Sequence, residues 1–118
     1  MKSRKKSKKI TVRFSKSLKA EMQQAIISSN YGLHGKSKWL GEAIVFFLEQ
    51  SNYIDLVEHG VDINQAELSE VEAFYLNEEV IKAMKVALTK VRVKFPLFEG
   101  VQSAFIRACV TYRLMRKK

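Results

Sequence analysis

A single cysteine among 118 residues leaves no internal disulfide to build and no cysteine pair to hold a metal. No apolar run approaches the roughly 18 residues that a transmembrane helix needs, and the basic opening MKSRKKSKK is not followed by the apolar core of a secretory signal. These absences predict a reducing, cytoplasmic setting and no membrane partner. Proline occurs once, at Pro96, so helices are interrupted by proline at one place only. Charge of one sign is missing from two long stretches. Residues 2 to 19 carry nine basic side chains and no acid, while residues 49 to 79 carry nine acids and no Lys or Arg. Residues 80 to 118 then hold ten bases against Glu99 alone, and the net charge is +9. Basic ends flanking an acidic middle are the pattern expected where a chain meets a polyanion.

Catalytic signatures are also missing. There is no glycine-rich phosphate loop and no nucleophile-elbow pattern, and His34 and His59 with Cys109 do not make up a structural zinc set. The expectation is a protein that is not an enzyme and takes no cofactor or metal, with Cys109 a small core residue on an apolar helical face.

What the chain does contain is an internal repeat. Ser37, Trp39, Leu40, Ala43 and Ile44 line up with Ser103, Phe105, Ile106, Cys109 and Val110 at an offset of 66. Upstream, Phe14 to Leu18 line up with Leu76 to Val80, Met22 with Met84 and Ile26 with Leu88, at an offset of 62. The four-residue difference falls near Lys94 to Gly100, around Pro96.

Residues 8 to 15 alternate strictly, with Ile10, Val12 and Phe14 on one side and Lys9, Thr11 and Arg13 on the other, which predicts a half-buried strand. Ser15 and Ser17 offer cap oxygens for a helix bearing Leu18, Met22, Ala25 and Ile26 on one face, which Gly32 and Gly35 are expected to end. Ser37 is the expected cap of a second helix with Leu40, Ala43, Ile44, Phe47 and Leu48 along one side. The second copy follows the same plan. Phe74 and Leu76 face inward from a strand, a helix carries Val80, Met84, Ala87, Leu88 and Val91, and Ser103 caps a last helix with Ile106, Cys109, Val110 and Leu114 buried. Trp39 and Phe105 are expected as core or interface residues rather than base-stacking platforms. Between the copies, a helical turn is expected around Tyr53 to Glu58.

A lone strand leaves its backbone groups unsatisfied, and one strand-helix-helix unit has too small a core to stand alone. The two copies are therefore expected to pair their strands. The predicted fold is mainly α with a two-stranded antiparallel β-ribbon, a tandem pseudo-dimer in one chain. Residues 1–7 are expected to form a basic disordered arm, 8–51 the first copy, 52–70 an acidic linker and 71–118 the second copy, with both copies making one compact domain.

Lys9 to Ser15, a first helix, and then Gly35, Lys36, Ser37, Lys38, Trp39 through Ile44 together resemble the ribbon-helix-helix DNA-binding fold of the Arc and methionine repressors. The likeness covers residues 8–51 well and 71–115 more weakly, and the tandem arrangement is similar to the TraY-like class of plasmid-transfer proteins. The resemblance implies that the ribbon enters the major groove and reads bases, while the N-termini of the second helices grip phosphates.

The residue chemistry agrees with that mode, since the major groove admits a two-stranded ribbon. Lys9 and Arg13 reach guanine acceptors, Thr11 offers a hydroxyl or a methyl, and Tyr75 adds a hydroxyl from the second strand. These four are the expected base readers. Lys36, Ser37, Lys38 and Ser103 are the expected phosphate contacts at the helix starts, with Lys5, Lys6 and Lys8 adding affinity without specificity. The second strand departs from the pattern. Its outward residues are Val71, Ala73 and Tyr75, Glu72 takes the inward place matching Ile10, and Glu70 repels phosphate, so reading is expected to be lopsided toward the first copy.

The expected partner is double-stranded DNA, and further self-association on it is a second expectation. A transcriptional regulator acting at an operator is the first expectation. A relaxosome accessory protein of conjugative plasmid transfer is its close rival. An antitoxin-type interaction module binding a protein partner through the acidic linker is a second class, and a cationic membrane-surface protein, lacking the bulky apolar helix face, ranks last.

Overall fold

The computed structural model describes residues 7–31, 35–59, 67–97 and 100–116. Along the chain these form β1 (Ser7–Phe14), α1 (Lys16–Ser28), α2 (Lys36–Leu48), α3 (Tyr53–His59), β2 (Glu70–Asn77), α4 (Glu78–Lys94) and α5 (Val101–Met115). The protein is mainly helical with a two-stranded antiparallel sheet. β1 and β2 pair directly although more than fifty residues separate them, with Lys9 opposite Tyr75, Thr11 opposite Ala73 and Arg13 opposite Val71.

The alternation of β1 is realised as expected: Ile10, Val12 and Phe14 are buried while Lys9, Thr11 and Arg13 are exposed. On β2, Phe74 and Leu76 face the core and Phe74 meets Phe14 edge to face, ring centroids 6.2 Å apart. Beneath the ribbon, Met22, Trp39, Leu40, Ile44, Phe47, Met84, Val91, Phe105, Ile106, Cys109 and Val110 form one contiguous core drawn from α1, α2, α4 and α5. Burial of the Cys109 thiol in this layer pushes its pKa well up, consistent with an inert packing group. No described helix is long and apolar enough to cross a membrane.

Several boundaries differ from expectation. β1 begins at Ser7, so that residue belongs to the ribbon rather than to a basic arm, and β2 begins at Glu70, one residue before the expected second copy. Lys5 and Lys6 lie outside the described residues, as do Gly32 and His34. The helical turn expected near Tyr53 is α3, which plants Val57 in the core and lays Tyr53 against Phe47.

The helix ends also depart from expectation. Ser15 does cap α1, accepting the Leu18 N–H at 3.2 Å, and Asn77 at the matching place accepts the Val80 N–H at 2.9 Å to cap α4. Yet α1 is not ended by Gly32 or Gly35. It stops at Ser28, where Asn30 takes a left-handed conformation (φ 67°), its N–H bonding the Ile27 carbonyl and that of Tyr31 the Ile26 carbonyl. That is a Schellman ending with asparagine in the glycine role. Gly35 opens α2 instead. A Cβ there would stand 2.3 Å from the Tyr31 carbonyl oxygen, so the turn closes only on glycine. Likewise α5 starts at Val101 behind Gly100 (φ 63°), and neither Ser37 nor Ser103 is a cap. A serine hydroxyl favours the cap position, but close chain approach at one turn and a positive φ at the other favour glycine more strongly.

Candidate nucleic-acid interface

The outward side of the ribbon brings together three of the expected readers from β1 and one from β2. Lys9, Thr11 and Arg13 are exposed, and no described residue hydrogen-bonds or ion-pairs with their side chains. Tyr75, 56% exposed, stands opposite Lys9. The rest of the face is Ala73 and the exposed Val71, so hydrogen-bonding capacity is concentrated on β1.

Lys8 stands at the start of the ribbon, opposite Leu76, exposed but with the side-chain parity of the inward residues. At the start of α2 the three expected phosphate contacts separate in role. The Lys36 ammonium lies 2.7 Å from Glu72 and over the Phe74 ring, under the ribbon. Ser37 Oγ accepts the Tyr75 main-chain N–H at 2.9 Å, closing part of the free edge of β2. Lys38 is exposed and rests over the Tyr31 ring, with no carboxylate partner among the described residues. Ser103, in the first turn of α5, has no side-chain hydrogen bond to a described residue. The first three amides of α2 and of α5 precede the first intrahelical bonds, those of Trp39 to Gly35 and Ala104 to Gly100, and have no backbone partner among the described residues at the positive helix ends.

Glu72 does occupy the inward position matching Ile10. Its side chain is 12% exposed and bridges Lys36 at 2.7 Å and Lys19 at 3.0 Å. Burial by itself would raise the Glu72 pKa, but the hydrogen bonds and charges of Lys36 and Lys19 prevail and hold it below the ordinary carboxylate range. Lys19 also meets Glu70 at 3.3 Å, and its own pKa is raised by hydrogen bonds to Glu72 and Glu70. Two of the acids of β2 are thereby partly neutralised from below.

Arg107 was not anticipated. It sits on the buried side of α5, and its Nη1 donates to the Arg13 carbonyl at 3.0 Å while Nε has no partner. Burial lowers its pKa. A signal was present, since Arg107 shares a helical stripe with Ser103 and Val110, but periodicity identifies a face and not the atom a side chain will meet. A second group that the sequence concealed joins α2 to α5. Arg113 stacks on Trp39 with 4.6 Å between guanidinium and ring, donates to the Trp39 carbonyl at 2.8 Å, and approaches Tyr31 and Glu42, which hydrogen-bond each other.

Among the described residues no group of three or more His, Cys, Asp or Glu side chains is placed to hold a metal ion. Comparison of the chain with protein-family models, with curated proteins and with solved structures gives no match.

Proposed function

We propose that this protein is a sequence-specific double-stranded DNA-binding protein without catalytic activity, a cytoplasmic transcriptional regulator built as a tandem ribbon-helix-helix pseudo-dimer. The observation that carries the reading is the outward face of the ribbon, where Lys9, Thr11 and Arg13 are exposed side by side with no side-chain partner among the described residues. Unpaired cations held at two-residue spacing on a ribbon that fits the major groove suit guanine acceptor edges, with threonine between them.

The strand register supports the pseudo-dimer. The repeat offset of 62 takes Thr11 to 73, and Ala73 is the residue opposite Thr11, so a twofold relating the two copies runs through that pair. The same operation exchanges the pair of Lys9 and Tyr75 with the pair of Val71 and Arg13. Matching caps at Ser15 and Asn77 follow from the same offset.

In this reading β1 supplies base recognition, Tyr75 adds one contact, and the first-turn amides of α2 and α5 with Lys38 and Ser103 take phosphate oxygens. Lys5, Lys6 and Lys8 add sequence-independent affinity, and Lys36 contributes where phosphate competes with Glu72. An accessory role in plasmid transfer uses the same surface and differs only in the site bound. Selection of bound sites from random duplex DNA tests the proposal. The expected result is one well-defined half-site with a weaker or degenerate second half; recovery of no enriched sequence would refute it, and two equally conserved halves would refute the lopsided assignment.

A further inference from the structure

An open groove of about 740 Å³ runs between α2, the outer edge of β2 and α4. Its apolar lining includes Val45, Val80 and Ala83, and Glu49 and Glu79 stand at its margins, neither paired with a described cation. Glu42 also lines it but is held by Tyr31 and Arg113. Lys38 is the one described cation along the groove, so the charge there is net acidic.

The other half of the molecule shows what such a place accepts. The alignment of α2 with α5 sets Gly41 where the second helix has Arg107, and the alignment of the strands sets Tyr75 where β1 has Arg13. Arg107 fills its side of the fold with a buried guanidinium bonded to the Arg13 carbonyl on the edge of the ribbon. On the groove side Gly41 contributes no side chain. The Tyr75 N–H points outward to Ser37, so its carbonyl lies on that same outer edge, as both groups of one residue do in an antiparallel ladder.

We propose that this groove is the docking site of the chain's own basic segment, residues 2 to 6, with an arginine or lysine of that segment taking the place that Arg107 takes opposite. Ser7, the residue from which the segment departs, itself lines the groove, and the segment carries Lys2, Arg4, Lys5 and Lys6. Extended chain spans about 3.3 to 3.6 Å per residue, so five residues extend roughly 17 Å from Ser7. Aliphatic stems of lysine and arginine cover an apolar floor while their charged ends meet carboxylates. Tethering at Ser7 makes the contact intramolecular, so individually weak ion pairs suffice. Where the DNA-binding reading above holds, the same cations cannot serve phosphate and groove at once, and docking restrains non-specific binding.

The test uses the full chain with Ser3→Cys carrying a nitroxide, since the buried Cys109 takes no label. Paramagnetic broadening is expected at the amides of Gly41, Val45 and Ala83 at low salt, and its loss in the Glu49→Lys, Glu79→Lys double variant, whose sites are both exposed. Absence of broadening, or broadening indifferent to the charge reversal, would overturn the proposal. So would broadening that passes between labelled and unlabelled molecules in a mixture, which would make the occupant a second copy's segment. A separate measurement addresses DNA: neutralising Glu49 and Glu79 to Gln raises duplex affinity in the full chain but not in one lacking residues 2 to 6. A chain that binds no duplex would refute the functional reading and leave docking to be decided by the broadening alone.

Discussion

The buried guanidinium of Arg107 holds the main-chain carbonyl of Arg13 at 3.0 Å, tying α5 to the strand that carries the candidate readers. Among the described residues no carboxylate pairs with it, and Nε is left without a partner. A buried cation in this condition does little for stability, because its desolvation offsets its one hydrogen bond. Its evident effect is to fix where the Arg13 backbone lies.

Arg107→Met should therefore leave the melting temperature unchanged or slightly raised while weakening binding to the selected site by about 1 kcal/mol, the scale of a single hydrogen bond. Binding to unrelated duplex should change less. Thermal denaturation alongside competition binding on the two duplexes separates these effects. Equal weakening on both would reduce Arg107 to a general contributor of charge.

Glu72 offers a pH signature. Its folded pKa is depressed, so its contribution to stability is fully present above the unfolded carboxylate value of 4.5 and is lost as pH falls through the lower folded value. Glu72→Gln should cost about 1 kcal/mol at neutral pH once solvent screening of the two partly exposed lysines is allowed for. That deficit should close as melting is followed from pH 7 toward pH 3. Glu72→Ile, which restores the side chain of the matching position in β1, should be neutral or stabilising, as replacement of a buried ion pair by packed hydrocarbon often is. A deficit that persists unchanged at low pH would mean that packing, not charge, makes Glu72 matter.

Gly35 and Gly41 lie six residues apart and should respond oppositely to alanine. At Gly35 the added Cβ meets the Tyr31 carbonyl oxygen at 2.3 Å and the chain must move, so Gly35→Ala should destabilise by roughly 1 to 3 kcal/mol. At Gly41 the nearest atom is Val80 Cγ2 at 3.9 Å, an ordinary van der Waals approach. Gly41→Ala should be neutral or gain up to about 1 kcal/mol from helix propensity. Chemical denaturation of the two variants decides it, and equal destabilisation would contradict the geometry of the α1–α2 turn.

The ribbon and the faces of the helices were legible because they depend on local periodicity: alternation in Ile10, Val12 and Phe14, and the helical spacing of Met22, Ala25 and Ile26, mark buried sides without reference to anything distant. That the strands pair was legible through the repeat, but their register was not read, since nothing local to Thr11 indicates Ala73. Caps were harder to read. Ser37 has the chemistry of a cap, yet its hydroxyl serves the Tyr75 N–H of the other copy's strand, an interaction made across 38 residues. The contacts of Arg107 and Lys36 were hidden for the same reason. Their partners, the Arg13 carbonyl and Glu72, are brought to them only by the tertiary fold.

Reader and basic segment make contrasting claims on one measurement, the dependence of affinity on salt. Removal of residues 2 to 6 deletes four cations, and each phosphate that is no longer neutralised should make the slope of log affinity against log salt shallower by about 0.9, with all duplexes weakened alike. Arg13→Ala deletes one cation but also a candidate partner for a base edge, so it should cost about 1 to 3 kcal/mol on the selected site and relax the preference there, with little change in slope. Val71 lies directly opposite Arg13 and offers no hydrogen bond, so Val71→Ala should do neither. Binding titrations over a range of salt, on selected and unrelated duplexes, resolve the three variants. If truncation relaxed sequence preference while Arg13→Ala only flattened the slope, the two segments would have exchanged roles, with base reading in the basic segment and the ribbon reduced to holding phosphate.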